Sequence, residues 1–189
     1  MIIHDPVKGT FVNELSGHEI TLPEEMFELI RVGNKQRTMA STTSNQFSSR
    51  SHALIQLQLE KHPRVKTLKS TVMTSKLLLV DLAGSERAAV TDNRGLRMFE
   101  GANINKSLLA LANCINILSD KKKKGAFVPY RDSKLTRLLK DSLGGNTKST
   151  MIACISPSYL CYEETINTLK YASRARAIKR KIKKNIKEV

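Results

Sequence analysis

The alternation of apolar and polar residues predicts a chain of short strands interleaved with helices. Residues 53–60 largely alternate between apolar and polar and predict a half-buried strand, whereas residues 76–81 are almost wholly apolar and predict a strand buried on both faces. A further strand is predicted over residues 150–156, and the first twenty residues predict short strands joined by turns. The strands and helices alternate along the chain, which is typical of an α/β protein.

Apolar residues at helical spacing predict the helices. They are expected from Pro23 with a break at Gly33, over residues 104–118, from Ser133 to about Leu143, and over residues 163–178. Thr21 and Ser133 are the predicted caps of two of them. In the basic tail, Ile178, Ile182 and Ile186 recur every fourth residue, so the local pattern favours an amphipathic helix there.

Charge narrows the choice of partner. The 189 residues include 32 basic and 17 acidic side chains, and the net charge of +15 indicates an acidic partner: an acidic protein surface, nucleic acid or an anionic membrane. A solvated basic surface without one partner is the alternative. Few aromatic residues and no Trp argue against a stacking platform for single-stranded nucleic acid. No apolar run approaches the length of a membrane span.

The three cysteines predict free thiols. Cys114, Cys154 and Cys161 are odd in number and form no C-x-x-C pair, so the sequence favours reduced thiols in an intracellular protein over a disulfide framework or a zinc site.

The candidate chemistry lies in two short segments. Residues 77–86 bring an Asp to the end of an apolar strand, with Gly84 and Glu86 at fixed offsets, as P-loop hydrolases present an Asp to Mg²⁺. Upstream, residues 45–52 carry two hydroxyls followed by Arg50, which suits a loop that senses phosphate. Either segment alone is weak evidence, because buried strands often end in Asp and Ser/Asn-rich loops often only form turns.

Together the two segments resemble the switch loops of kinesin motor domains. Further kinesin motifs follow in the family's order, at residues 103–108, 130–139, 141–146 and 167–175. The residues that this chain has at positions 93–95 and 107–111 resemble those of class-eight kinesins most closely.

The resemblance implies the fold and its extent. The expected fold is the C-terminal portion of a three-layer P-loop NTPase-like kinesin head, an α/β fold with a mixed central sheet flanked by helices. Residues 1–176 would be the partial motor domain and residues 177–189 a neck-linker-like tail. The sequence has no G-x-x-x-x-G-K-[ST] motif, so Met1 is expected to fall inside a head. The isolated chain is then expected to be unstable or to aggregate, because strand edges lack partners.

The resemblance also assigns roles in ATP hydrolysis. Glu86 and Arg50 would form the switch-to-switch ion pair, and Asn45 would orient the attacking water. Ser49, with Ser48 beside it, would contact Mg²⁺ or the γ-phosphate. Asp81 would bind Mg²⁺ through water, and the backbone N–H of Gly84 would reach the γ-phosphate. His52 is read as structural.

Tubulin contacts and the neck linker are carried over in the same way. The implied tubulin contacts are Arg87, Arg94, Arg97, Asn105, Lys106, Lys121, Lys122, Lys123, Lys124, Arg131, Lys134 and Arg137. Ile178 would anchor a neck linker and Asn185 would be its latch. We prefer this interpretation, a neck linker whose order depends on the bound nucleotide, to the amphipathic helix that the local pattern of isoleucines predicts.

The expected function is an ATP-driven, microtubule-based motor, dimeric through a stalk outside these residues. The cytoplasm and its microtubules, including spindle or cilium, are the expected location. The similarity to class-eight kinesins implies, in addition, that the motor shortens microtubules at their plus ends. The chain alone, lacking the phosphate-binding loop, is expected to be inactive. A non-catalytic microtubule-binding fragment is the first alternative, and a basic nucleic-acid-binding module is the second.

Overall fold

The computed structural model describes residues 1–5, 9–39, 51–65, 71–84, 96–179 and 182–188. Its strands are β1 (Ile2–Asp5), β2 (Gly9–Val12), β3 (Ala53–Lys61), β4 (Thr71–Asp81) and β5 (Ile186–Glu188). Its helices are α1 (Pro23–Met39), α2 (Leu96–Ser119), α3 (Lys134–Leu138), α4 (Lys140–Gly144) and α5 (Tyr162–Arg176). Short 3₁₀ turns lie at Lys121–Lys123, Tyr130–Asp132 and Tyr159–Cys161.

Two antiparallel sheets organise the described strands. β1 and β2 form a hairpin, and the larger sheet has the order β3-β4-β5. In the larger sheet Ala53 lies opposite Asp81 and Lys61 lies opposite Met73, so the two strands predicted from the alternating and the apolar segments are present and pair with each other. The order places β4 in the centre, with its C-terminal residue Asp81 at the end of the sheet.

The prediction that β4 is buried on both faces is wrong for this chain. Leu77 and Leu79 are 48% and 50% exposed. β5 pairs only with Thr71–Met73, and no described strand pairs with the rest of that edge of β4. An apolar strand needs a second neighbour and a covering layer to be buried on both faces, and the described residues supply neither along most of its length.

The strand predicted over residues 150–156 is also absent. These residues take no regular secondary structure, and Ile152 is 86% exposed. A strand requires a partner for its backbone N–H and C=O groups. No described strand lies beside this segment, so its apolar sequence alone does not make it a strand.

The helical layer contains most of the buried core. Cys114 and Ile115 of α2 are buried, as are Leu135 and Leu139 at and just beyond α3, and α2 packs against both α3 and α5. The predicted cap at Ser133 is confirmed: its hydroxyl accepts a hydrogen bond from the backbone N–H of Thr136, in a capping box.

The other helix boundaries differ in detail from the sequence prediction. α1 continues through Gly33, because one glycine lowers helix stability without ending the helix. Thr21 is not the acceptor predicted; instead the Glu25 carboxylate accepts hydrogen bonds from the N–H groups of Thr21 and Leu22. α2 begins at Leu96, well before the predicted residue 104. In the part of the chain that the structure describes, no helix has both the length and the apolar character needed to cross a bilayer.

Candidate functional site

The candidate nucleotide site lies at the C-terminal end of β4. Asp81 is the last residue of this strand, and its side chain is 67% exposed. Nη1 of Arg37 lies 3.2 Å from Oδ2 of Asp81, so the last turns of α1 contribute a cation to the same end of the sheet. An exposed carboxylate is the hard oxygen donor that Mg²⁺ prefers, either directly or through water, so the chemistry of Asp81 fits such an ion.

Arg37 also fixes the start of the chain that enters β3. Its Nε donates to the Ser51 hydroxyl at 2.7 Å, and its Nη2 donates to the Ser51 carbonyl at 2.6 Å. One guanidinium therefore connects Ser51 to Asp81. Sequence reasoning missed Arg37. The signal available was a cation near the end of the predicted helix, shortly before the Ser/Asn-rich residues 41–49 in the sequence.

His52 connects the backbone beyond β4 to α2. Its Nδ1 accepts a hydrogen bond from the N–H of Ala83 at 3.0 Å, and its Nε2 lies 2.7 Å from the Ser107 hydroxyl. The Ser107 hydroxyl in turn donates to the Ile104 carbonyl at 2.7 Å. Ala83 is buried and Gly84, the candidate phosphate-sensing residue, follows it directly. The sequence prediction of a structural role for His52 agrees with these bonds.

The surroundings of His52 favour its neutral form. Burial lowers the pKa of the imidazole, and the positive charge of Arg37 lowers it further, while the Asp81 carboxylate opposes the shift. A backbone N–H only donates, so Nδ1 facing Ala83 must be the unprotonated nitrogen.

Several predicted site residues lie outside the described part of the chain. The structure gives no account of Asn45, Ser48, Ser49, Arg50, Glu86, Arg87 and Arg94. Arg97 lies in the first turn of α2, with no description of its side chain. Their proposed roles therefore remain predictions, and the described part of the candidate nucleotide site consists of Asp81, Gly84 and the two residues that hold this end of the sheet, Arg37 and His52.

A basic surface lies beyond the C-terminus of α2. Residues 121–124, four consecutive lysines, are all exposed. The Asp120 carboxylate accepts a hydrogen bond from the Lys122 N–H at 2.9 Å and so caps the 3₁₀ turn that presents them. Gly125 ends this turn with φ of 87°, a left-handed conformation that favours glycine.

The other predicted tubulin contacts belong to the same packed unit. Arg131, Lys134 and Arg137 are exposed, on or beside α3. Lys106 is exposed on α2 and Asn105 beside it is half-buried. α2 packs against α3 and against the 3₁₀ turns at Lys121–Lys123 and Tyr130–Asp132, so the structure gathers these residues on one group of helices.

The C-terminal tail runs back along β4 as an extended segment. Asn146, after α4, donates from Nδ2 to the Lys183 carbonyl at 2.7 Å and to Oδ1 of Asn185 at 3.0 Å. Its Oδ1 accepts from the Lys183 N–H at 2.7 Å. The Thr74 N–H donates to the Asn185 carbonyl at 3.2 Å. The locally predicted amphipathic helix is wrong for residues 182–188: residues 182–185 take no regular secondary structure, and residues 186–188 form β5, which pairs with β4. Ile178, the predicted anchor, is half-buried.

The helices that carry the basic surface also contact the helix that leads into the tail. Nη1 of Arg174 in α5 donates to Oδ1 of Asn116 in α2 at 2.9 Å. Sequence reasoning did not single out Asn116, because an isolated Asn gives no pattern to read. Asn146 entered only as the last residue of the motif at residues 141–146, with no role assigned to it.

Comparison with known proteins gives one consistent answer. A family model described as "Kinesin motor domain" matches residues 1–178. The chain is 54% identical over 185 residues to the Gallus gallus protein "Kinesin-like protein KIF18B", covering 98% of this chain and 23% of that protein. It is 55% identical over 166 residues to the human "Kinesin-like protein KIF19", covering 88% of this chain and 16% of that protein.

A solved structure extends the similarity to three dimensions. The structure of "KIF14[391-772] dimer two-heads-bound state - AMP-PNP in complex with a microtubule" matches with a TM-score of 0.86 and 42% identity, over 98% of this chain and 52% of that one. The predicted fold class is confirmed by this match. The chain spans about a quarter or less of the two relatives named above and about half of the solved chain.

Proposed function

Because this chain belongs to the kinesin motor domain family, we propose that it forms the switch and microtubule-binding part of an ATP-hydrolysing motor that moves on microtubules. The proposal rests on one observation. α2 and His52 connect the end of β4, which carries Asp81 and Gly84, to the exposed basic surface beyond α2. A motor needs such a connection between its nucleotide site and its track.

In this proposal the end of β4 contributes to the nucleotide site. Asp81 holds Mg²⁺ through water, and Gly84 offers its backbone N–H to the γ-phosphate of ATP, with no side chain to hinder its movement. Ser48 and Ser49 complete the contacts with phosphate and metal. Mg²⁺ neutralises charge on the phosphates when it is bound, while the protein residues position the ATP and the water.

Three further residues are proposed to act on the attacking water. Asn45 orients it, and Glu86 accepts a proton from it through hydrogen bonds. Arg50 pairs with Glu86 and closes the site around the γ-phosphate. The alternative for this pair is a surface salt bridge, which contributes less than about 1 kcal/mol.

The basic surface is proposed to bind tubulin. Lys121–Lys124 provide four exposed positive charges on one turn, while Lys106, Arg131 and Lys134 add others from the helices packed beside it. Tubulin is acidic, so complementary charge would favour encounter and binding, and salt would weaken both. Residues 177–189 are proposed to act as the neck linker, with Ile178 as anchor and Asn185 as latch.

The finer features of the motor are also proposals. Similarity to the KIF18B and KIF19 proteins supports membership of the class-eight group, with activity at microtubule plus ends, a dimeric whole protein and a location on cytoplasmic, spindle or ciliary microtubules. A non-catalytic microtubule-binding role is the second candidate. It is favoured by the lack of a G-x-x-x-x-G-K-[ST] motif within these 189 residues.

A complete head tests the catalytic proposal. The N-terminal part of the chicken relative's motor domain is joined ahead of residue 1, and ATP turnover is measured with and without microtubules. Glu86→Ala should abolish hydrolysis and leave binding of a fluorescent ATP analogue unchanged. Glu60→Ala, at an exposed glutamate of β3, is the matched control. Undiminished turnover in Glu86→Ala would refute the assigned role, and a wild-type head without turnover would favour the non-catalytic candidate.

A further inference from the structure

Three hydrogen bonds in series connect the backbone beside Gly84 to α2, with His52 in the middle. They run from the Ala83 N–H to Nδ1 of His52, from Nε2 of His52 to the Ser107 hydroxyl, and from that hydroxyl to the Ile104 carbonyl. We infer that His52 is a positioning residue that transmits movement at Gly84 to the tubulin-contacting turn of α2. This inference rests on the proposed motor function.

The direction of each bond follows from the donors available. The Ala83 N–H can only donate, so Nδ1 of His52 accepts and the ring proton lies on Nε2. Nε2–H then donates to the oxygen of Ser107, which leaves the Ser107 proton for the Ile104 carbonyl. Every donor and acceptor of the neutral imidazole is used, and a ring flip would break the series at Ala83.

The two ends of the series fit a coupling role. Ala83 is 5% exposed and directly precedes the proposed phosphate-sensing residue Gly84. Ser107 directly follows Asn105 and Lys106, two proposed tubulin contacts. The rigid imidazole keeps the Ala83 nitrogen and the Ser107 oxygen at a fixed separation. A displacement of the backbone at Gly84 is therefore passed to α2 instead of being absorbed by a flexible side chain.

Holding the sheet together does not require this series. His52 lies just before β3, whose nine residues pair along their whole length with β4, from Ala53 opposite Asp81 to Lys61 opposite Met73. The partners of His52 lie beyond that ladder, on the segment after β4 and on a different layer. Its bonds therefore connect parts of the molecule that the strand pairing leaves unconnected.

The test uses the complete head described above. His52→Gln shortens and loosens the link, and Ser107→Ala removes its far end. Ser107→Ala should keep the basal ATPase rate, because Ser107 lies outside the candidate nucleotide site. In both variants the ratio of microtubule-stimulated to basal rate should fall about 5-fold or more, the size of a typical coupling between sites. The double variant should lose no more than either single one, because both substitutions break the same series.

Two matched variants separate coupling from folding. Ser107→Thr keeps a hydroxyl and should retain the stimulation. His62→Gln changes an exposed histidine, 3.5 Å from Glu60 at the other end of β3, and should have no effect. In the 189-residue chain itself, hydrogen exchange at the Ala83 amide should be faster in His52→Gln than in His62→Gln.

Two results would overturn the inference, and they differ from failure of the motor proposal. Full stimulation in both His52→Gln and Ser107→Ala would exclude coupling through His52, as would additive losses in the double variant. A wild-type head whose ATPase rate does not respond to microtubules would contradict the motor function itself, and the coupling role with it. Exchange at Ala83 would still report whether the hydrogen bond forms.

Discussion

Nδ2 of Asn146 donates to Oδ1 of Asn185 at 3.0 Å, although the two residues are 39 positions apart in the chain. With the two hydrogen bonds between Asn146 and Lys183, this pair holds the tail where Asn185 can accept from the Thr74 N–H and β5 can pair with β4. The amide after α4 thus sets the path of a segment that the family resemblance identifies as a neck linker.

Substituting Asn146 with Ala should release the tail from β4. Three hydrogen bonds to residues 183–185 are lost, and each contributes about 0.5–1.5 kcal/mol, less where the side chain is exposed as here. We expect the Thr74 amide to exchange several-fold faster in hydrogen-exchange measurements. Asn13→Ala, at an exposed asparagine whose side-chain amide donates to the neighbouring Glu14, is the matched control. Equal exchange at Thr74 in both variants would show that Asn146 does not hold the tail.

The cysteines should differ sharply in reactivity. Burial raises the pKa of Cys114 to about 11, with a smaller contribution from Asp132, and its side chain is fully buried in α2. Because the thiolate is the reactive form, Cys114 should resist N-ethylmaleimide near neutral pH and react only as the pH rises toward its pKa or as the chain unfolds. Exposed Cys154 should react readily. Peptide mapping by mass spectrometry measures both, and equal labelling would contradict the burial of Cys114.

The isolated 189-residue chain should be poorly stable. Leu77 and Leu79 expose one face of β4, and Ile152 and Ile155 are exposed in the segment after α4. Exposed apolar groups of this kind favour association. We expect strong binding of a hydrophobic dye and a broad thermal transition. Replacing Leu77 and Leu79 with Thr should reduce dye binding, since Thr keeps strand propensity while removing apolar area. A monomer with weak dye binding and one sharp transition would refute this expectation.

Local signals in the sequence predicted local structure well. The alternation of apolar and polar residues over 53–60 predicted that strand, and the hydroxyl of Ser133 predicted the start of α3. Both signals depend on residues that are close together in the sequence. The open face at Leu77 and the irregular residues 150–156 depend on elements distant in sequence, which a local pattern does not contain. The spacing of Ile178, Ile182 and Ile186 suggested a helix, but isoleucine also favours strands, and pairing with β4 decided the outcome at Ile186.

The candidate site was predictable to a similar degree. Asp81 was recognised because an apolar strand leads to it, and the lysines at 121–124 because their charge is contiguous. Arg37 was not, because its role depends on α1 folding back to the end of β4, 44 residues further along the chain. His52 was read as structural, and its two hydrogen bonds became visible only when α2 was placed beside it.

The central proposal, that this chain carries a microtubule-binding surface, is tested most directly by co-sedimentation with microtubules. The chain is first centrifuged alone to remove aggregates. The fraction bound is then measured against salt, on intact microtubules and on microtubules whose acidic tails have been cleaved. Two variants that lose four positive charges are compared: Lys121–Lys124 to Ala, and Lys35, Lys61, Arg64 and Lys148 to Ala. All eight side chains are exposed.

The account predicts salt-sensitive binding that weakens when the tubulin tails are removed. It also predicts roughly tenfold weaker binding for the variant at residues 121–124, since each exposed charge contact contributes about 0.2–1 kcal/mol, and a smaller loss for the control variant. Equal binding by the two variants would contradict the assignment of the basic surface to tubulin. No binding by the wild-type chain at low salt would contradict the central claim.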